Sequence, residues 1–192
     1  GAPPSVTFSA NGRPFSGVLG IETVGYNVGV DFSALGGGAA FLGSVGGANA
    51  ATGVAQAASA NFTGTLAGGP FIADSSGFAA APNAGLWYRL GGGGGVLNLN
   101  VAGQLTGAEG NVMFGAAGST VGTDGSGGTI VLNQANTHGG FSVLNFGQTV
   151  QVGHAGAFGT STLIFNGGTL TAGSFQRTTG FREGLTIANN IK

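Results

Sequence analysis

The chain has 192 residues, 43 of them glycine, with only 6% charged side chains and a formal net charge of -1. Ordinary domains carry about 7% glycine and about 25% charged residues, and so few cations exclude a nucleic-acid footprint or a polybasic membrane anchor. Five prolines and clumped glycines exclude collagen, 14 phenylalanines exclude a disordered linker, and the lack of cysteine excludes disulfides and thiolate chemistry.

In chain order, short apolar bursts bounded by turn formers predict strands. The first are Ser5–Phe8, Gly20–Val24, Val28–Phe32, Ala39–Leu42 and Ala60–Leu66. The alanine-rich stretch from Ala48 to Ala60 competes as a helix, but Gly53 interrupts it and it has no charged face. Leu86–Leu90 is the most aromatic segment. Trp87 and Arg89 share one face, and Leu86, Tyr88 and Leu90 share the other. The five glycines Gly91–Gly95 then serve either as a wide turn or as a close approach to the Trp87 indole. Val96–Val101 and Asn111–Phe114 follow. Thr129–Asn133, Thr149–Val152, Thr162–Asn166, Thr169–Thr171 and Gly184–Ile187 complete the series. The least polar stretch, 34–60, is broken by glycine every few residues, so no membrane-spanning helix is expected.

Spacing carries more information than any one segment. Thr129, Thr149 and Thr169 each open a strand within two residues of a glycine, at intervals of 20 residues. One strand per ~20 residues is the period of a β-solenoid, in which a single coil cannot bury its own apolar face and must stack on its neighbours. At that period, the whole chain would hold nine or ten coils. Asn133, Asn136, Asn145 and Asn166 fall at strand ends, where their amides can form ladders between coils. Val131, Val150, Leu163, Phe165 and Leu170, with at least one of Trp87 and Tyr88, form the expected core.

The segment Gly128–Gly140, running Gly-Thr-Ile-Val-Leu-Asn-Gln-Ala-Asn-Thr-His-Gly-Gly, resembles the autotransporter-associated β-strand repeat. Phe141–Asn145, Gly147–Gly153 and His154–Leu170 are similar to its continuation, so the resemblance covers 128–171. His138 stands where that family has an aromatic residue, and the Thr before Gly139 is missing. The resemblance implies a right-handed parallel β-helix in an exported bacterial protein, used as stalk, passenger or fibre, and it implies no catalytic residue. The expected organisation is a Gly/Ala-rich β region over 1–85 that starts the solenoid, and a parallel β-helix over 86–192. The strand-like end before Lys192 leaves the natural chain expected to continue.

Chemistry is sparse. The acids Glu22, Asp31, Asp74, Glu109, Asp124 and Glu183 form no short pair, although Glu109 and Asp124 could stack on adjacent coils as a polysaccharide-cleaving pair would. His138 and His154 lack a third ligand, no serine sits in a nucleophile elbow, and the glycine runs lack the Lys-Ser/Thr of a phosphate loop. His154 reads as a surface turn residue and His138 as a cap on the inner stack. Neither metal nor cofactor is expected. The expected function is a non-enzymatic, secreted or cell-surface structural protein that associates with itself. The alternative is an adhesin or glycan-binding module touching extracellular polysaccharide or the cell envelope, with Trp87, Tyr88 and Arg89 as its ligand surface. Those three read more readily as a core or coil-interface strand.

Overall fold

The computed structural model describes residues 17–22, 25–45, 59–72, 81–116, 127–173 and 185–192. These residues are all-β apart from one 3-10 turn at Leu35–Gly38. The first sheet has six strands in the order β1 (Val18–Ile21), β3 (Phe41–Ser44), β6 (Trp87–Leu90), β8 (Asn111–Phe114), β10 (Phe141–Asn145) and β12 (Thr162–Asn166). The second has five, in the order β13 (Thr169–Ala172), β11 (Thr149–Val152), β9 (Thr129–Leu132), β7 (Val96–Leu99) and β4 (Ser59–Phe62). A further pair joins β2 (Val30–Asp31) to β5 (Leu66–Ala67). Neighbouring strands within all three run parallel. From β6 onward the chain alternates between the two large sheets at every strand.

The threonine period is a register. Thr149 pairs with Thr129 on one side and Thr169 on the other. Towards the N-terminus the interval grows. Val96 pairs with Thr129, 33 residues on, and Ser59 with Val96, 37 residues on. The 20-residue period therefore does not extend to the N-terminal strands, and among the described residues the first sheet has six strands rather than nine or ten. At ~4.8 Å between strands it is about 24 Å from first to last. The extra length lies in the connections, which surface loops tolerate at little entropic cost.

Alternation sorts each strand into two faces. Ala60, Phe62, Leu97, Leu99, Ile130, Leu132, Val150 and Val152 from the second sheet meet Leu42, Tyr88, Leu90, Val112, Phe114, Leu144 and Leu163 from the first. That shared layer is the main core. The opposite face of the first sheet is also apolar, with Phe41, Trp87, Met113 and Val143 in a second buried cluster alongside Ala116.

Most of the expected core is in place, with two corrections. Val150, Leu163, Trp87 and Tyr88 are buried and Leu170 is partly so. Val131 is buried too, but on the outer face between its register partners Asn98 and Gln151, while Ile130 and Leu132 point into the core. Phe165 is 39% exposed. It shares a face with buried Leu163, but it sits on the last strand of its sheet, and the one pairing beyond that strand among the described residues is at Leu163 with Ile191. An inward register does not bury a side chain when nothing is stacked above it.

The glycine run resolves as a turn. Gly91, Gly92, Gly93 and Gly94 all have φ between 78° and 134°, a region L side chains rarely enter. Gly91 N–H donates to the Leu42 carbonyl and Gly95 N–H to the Ser44 carbonyl, so this turn lies directly on the end of β3. The helix alternative at Ala48–Ala60 falls almost wholly outside the described residues, and its end, Ser59–Ala60, is strand.

Candidate functional site

Trp87, Tyr88 and Arg89, the sequence-based ligand surface, lie in β6 with all three side chains buried. Both faces of this strand are covered, so none of them presents a platform to solvent. Tyr88 enters the main core edge-on to Phe32, and its hydroxyl lies 3.2 Å from Thr106 Oγ1. Trp87 packs on the other face, 5.7 Å from the Phe71 ring. Arg89 donates from Nη2 to the Pro70 carbonyl at 2.6 Å, while its Nε and Nη1 have no hydrogen-bond partner. Burial pushes its pKa down to about 10. A guanidinium that meets no carboxylate among the described residues is a cost to the fold rather than a binding device.

The acids do not assemble. Glu22, Asp31 and Glu109 are each exposed, and Asp74, Asp124 and Glu183 lie outside the described residues, as does any Glu109–Asp124 stacking. Asp31 accepts from the Ser33 hydroxyl at 2.6 Å and the Ser33 amide at 2.8 Å, which holds its carboxyl below the usual range. Among the described residues no three His, Asp or Glu side chains come close enough to hold a metal ion, and no helix is long and apolar enough to cross a membrane.

The polar groups do assemble along the stacking direction. Asn133 donates to Asn100 at 2.7 Å, and Asn100 to Asn61 at 3.1 Å, so one amide ladder runs along the neighbouring strands β4, β7 and β9. Asn166 donates to Asn145 at 2.8 Å, and Asn145 in turn to the Gly115 carbonyl. Asn83 and Asn111 form a reciprocal amide pair, and Asn111 Oδ1 also accepts the Phe141 amide. Asn136 accepts from the Leu105 amide and donates to the Ala157 carbonyl, spanning the coils on either side. The expectation of asparagine ladders at strand ends therefore holds at Asn133, Asn136, Asn145 and Asn166. Asn61, Asn83, Asn100 and Asn111 belong to the same system, and sequence reasoning missed their role. Their only local signal is a position at or near a strand end.

His138, read from sequence as a cap on the inner stack, is buried, and it heads a second network. Its Nε2 lies 2.9 Å from Ser142 Oγ, which lies 2.8 Å from Ser161 Oγ, which donates to the Phe158 carbonyl at 2.8 Å. All three side chains are buried. A carbonyl can only accept, so the Ser161 hydrogen is spent on Phe158, Ser142 must donate to Ser161, and His138 must donate from Nε2. Nδ1 is then the bare nitrogen, and it has no hydrogen-bond partner. Burial pushes the His138 pKa down to about 4, against a small opposing contribution from the nearby Leu105 carbonyl. This is the spacing of a nucleophile and base, but the serine is sealed from solvent and no carboxylate among the described residues hydrogen-bonds the ring. His154, in contrast, is exposed and accepts its own turn's Gly156 amide at Nδ1.

No family model, curated protein or solved structure matches this chain.

Proposed function

We propose that the chain is a non-enzymatic structural protein built as a right-handed β-solenoid, serving as a rigid stalk or fibre subunit of the bacterial cell surface or extracellular matrix. One observation carries this reading: its polar groups are committed to bonds between coils, in the connections as well as the strands. Gly103 N–H donates to the Ala135 carbonyl, Asn136 N–H to Gly156, Thr137 N–H to Leu105 and Thr160 N–H to His138, so the third side of the stack is also laddered. A closed coil with three laddered sides resists bending, which suits a spacer. The resemblance over 128–171 to the autotransporter-associated repeat supports export and a surface location. The glycan-binding alternative loses its best surface, because Trp87, Tyr88 and Arg89 are packed inside.

Self-association belongs to the same proposal. The outer face of the second sheet offers Ser59, Asn98, Thr129, Thr149, Gln151, Thr169 and Thr171 without a single charge, and a net charge of -1 gives little repulsion between copies. Light scattering of the purified chain, with negative-stain images of the same sample, is expected to show oligomers or filaments. Uniform 18.4 kDa particles across a broad concentration range would reject self-association.

A further inference from the structure

The buried histidine network ends where the last described segment attaches. Ser161 receives the chain from His138 through Ser142. On the same residues, Asn189 Nδ2 donates to the Ser161 carbonyl at 2.7 Å and to the Gly159 carbonyl at 3.3 Å. The neighbouring backbone completes the attachment, with Leu163 N–H donating to Asn190 and Lys192 N–H to Leu163. The 158–161 turn is thus held from one side by His138 and holds residues 189–192 on the other. The turn also has no slack. Gly159 has φ 53°, and a Cβ there would stand 2.4 Å from the His138 carbonyl oxygen.

We propose that His138, Ser142 and Ser161 form an acid-operated latch that seats residues 189–192 on the stack when the ring is neutral and releases them when it is protonated. Adding a proton at Nδ1 places a full charge in a site with no anion to meet it. The titratable or charged side chains on the neighbouring segments are Tyr88 and Arg89 on β6, Glu109 on 100–110, His154 on 153–161 and Lys192 on 185–192; β10 has none. Tyr88 is committed to Thr106, Arg89 lies on the opposite face of β6 and donates to the Pro70 carbonyl, the other three are exposed, and none of them hydrogen-bonds to His138. Against burial the charged ring has only the nearby Leu105 carbonyl in its favour, so protonation drives it to reach water or admit it. Either movement displaces Ser161, and with it the carbonyl acceptors of Asn189.

Burial depresses the folded pKa, so the closed state is favoured above about 6.5 and loses its advantage as pH falls through that value towards 4. If opening returns the ring to an ordinary pKa, the opening equilibrium rises about thirtyfold by pH 5.

Hydrogen exchange on the whole chain reads this directly. Corrected for intrinsic chemistry, the amides of Leu163 and residues 189–192 are expected to lose protection by about that factor between pH 7.5 and pH 5. His138→Phe, an aromatic that cannot titrate, should abolish the pH dependence, and His154→Gln should leave it intact. Ser161→Ala keeps the titrating ring but cuts the chain, so the amides near His138 should still respond while 189–192 no longer follow them. A wild-type profile that is flat at 189–192 overturns the latch even if a variant fails to fold. So does a pH response that survives His138→Phe.

Discussion

The two large sheets are built from strands of the same length and direction, yet they handle their faces differently. In the second, buried and partly exposed residues alternate, as in Val96-Leu97-Asn98-Leu99 and Thr149-Val150-Gln151-Val152, with one face in the core and one outward. In the first, Trp87-Tyr88-Arg89-Leu90 and Asn111-Val112-Met113-Phe114 are buried at every position. The lesson is that a parallel stack need not be symmetric. One wall can be an outer surface while the opposite wall is an interior layer with apolar material on both sides.

The largest expected effect tests that asymmetry. Trp87→Ala empties a fully buried position on the far side of the first sheet and should cost about 3–5 kcal/mol in denaturant unfolding. Gln151→Ala, on the corresponding far side of the second, should stay within about 0.5 kcal/mol. Equal losses would mean that both sheets have an outer layer of the same kind.

His138 gives the next effect. A shift from 6.5 to about 4 corresponds to roughly 3 kcal/mol, present above pH 6.5 and lost as pH falls through 4. Urea melts at pH 7.5 and pH 4 should show a loss of that order, shared with any carboxylates titrating there. The part due to the ring is the difference that disappears in His138→Phe.

Arg89→Met sharpens the comparison through its sign. The guanidinium sits in the second apolar cluster's sheet face with two nitrogens unpartnered, and methionine fills a similar volume without the desolvation cost. Stability is expected to rise by about 1–2 kcal/mol. A loss of similar size would show that the single bond to the Pro70 carbonyl matters more than the buried charge.

How much of this was legible depends on which wall is read. In the second sheet, period-2 alternation and the recurring threonines place Val150 and Val152 inward and set the register of three strands before any coordinates are seen. In the first, continuous apolar runs have no polar face, so Trp87 and Arg89 admit a surface reading beside the favoured core one. Only long-range packing decides between them. The 33- and 37-residue intervals were hidden for a related reason: a period shows only where connections are of equal length. Asn133 and Asn136 stood out inside the repeat-like segment, whereas Asn61 and Asn100 gain meaning only when Asn133 is stacked on them. His138 looked like a cap because its partners, Ser142 and Ser161, lie on different coils.

Asn100→Ala tests the ladder and should have a smaller effect. It removes the acceptor of Asn133 and the donor to Asn61 at part-buried sites, for an expected loss of about 1–2 kcal/mol. Asn100→Asp restores an acceptor but not a donor, so it should recover part of that loss.

The smallest effect on the isolated chain is expected at Phe165, where the end of the stack can be separated from its middle. Its register partner Leu144 is wholly buried, while Phe165 itself is 39% exposed, so position along the stack, not the strand's face, accounts for the difference. Truncating Leu144 to Ala should cost about 2–5 kcal/mol. Phe165→Ala, with less surface to lose and no sealed cavity to leave, should cost about 1 kcal/mol or less at concentrations where the chain is monomeric. If copies stack through this end, the phenyl ring becomes an interior residue of the assembly, and the same substitution should shrink the particles seen by light scattering while leaving the monomer's melting almost unchanged. A large loss in the monomer would show that Phe165 is already covered. A small loss with no change in particle size would place any contact between copies elsewhere, on the uncharged outer face of the second sheet.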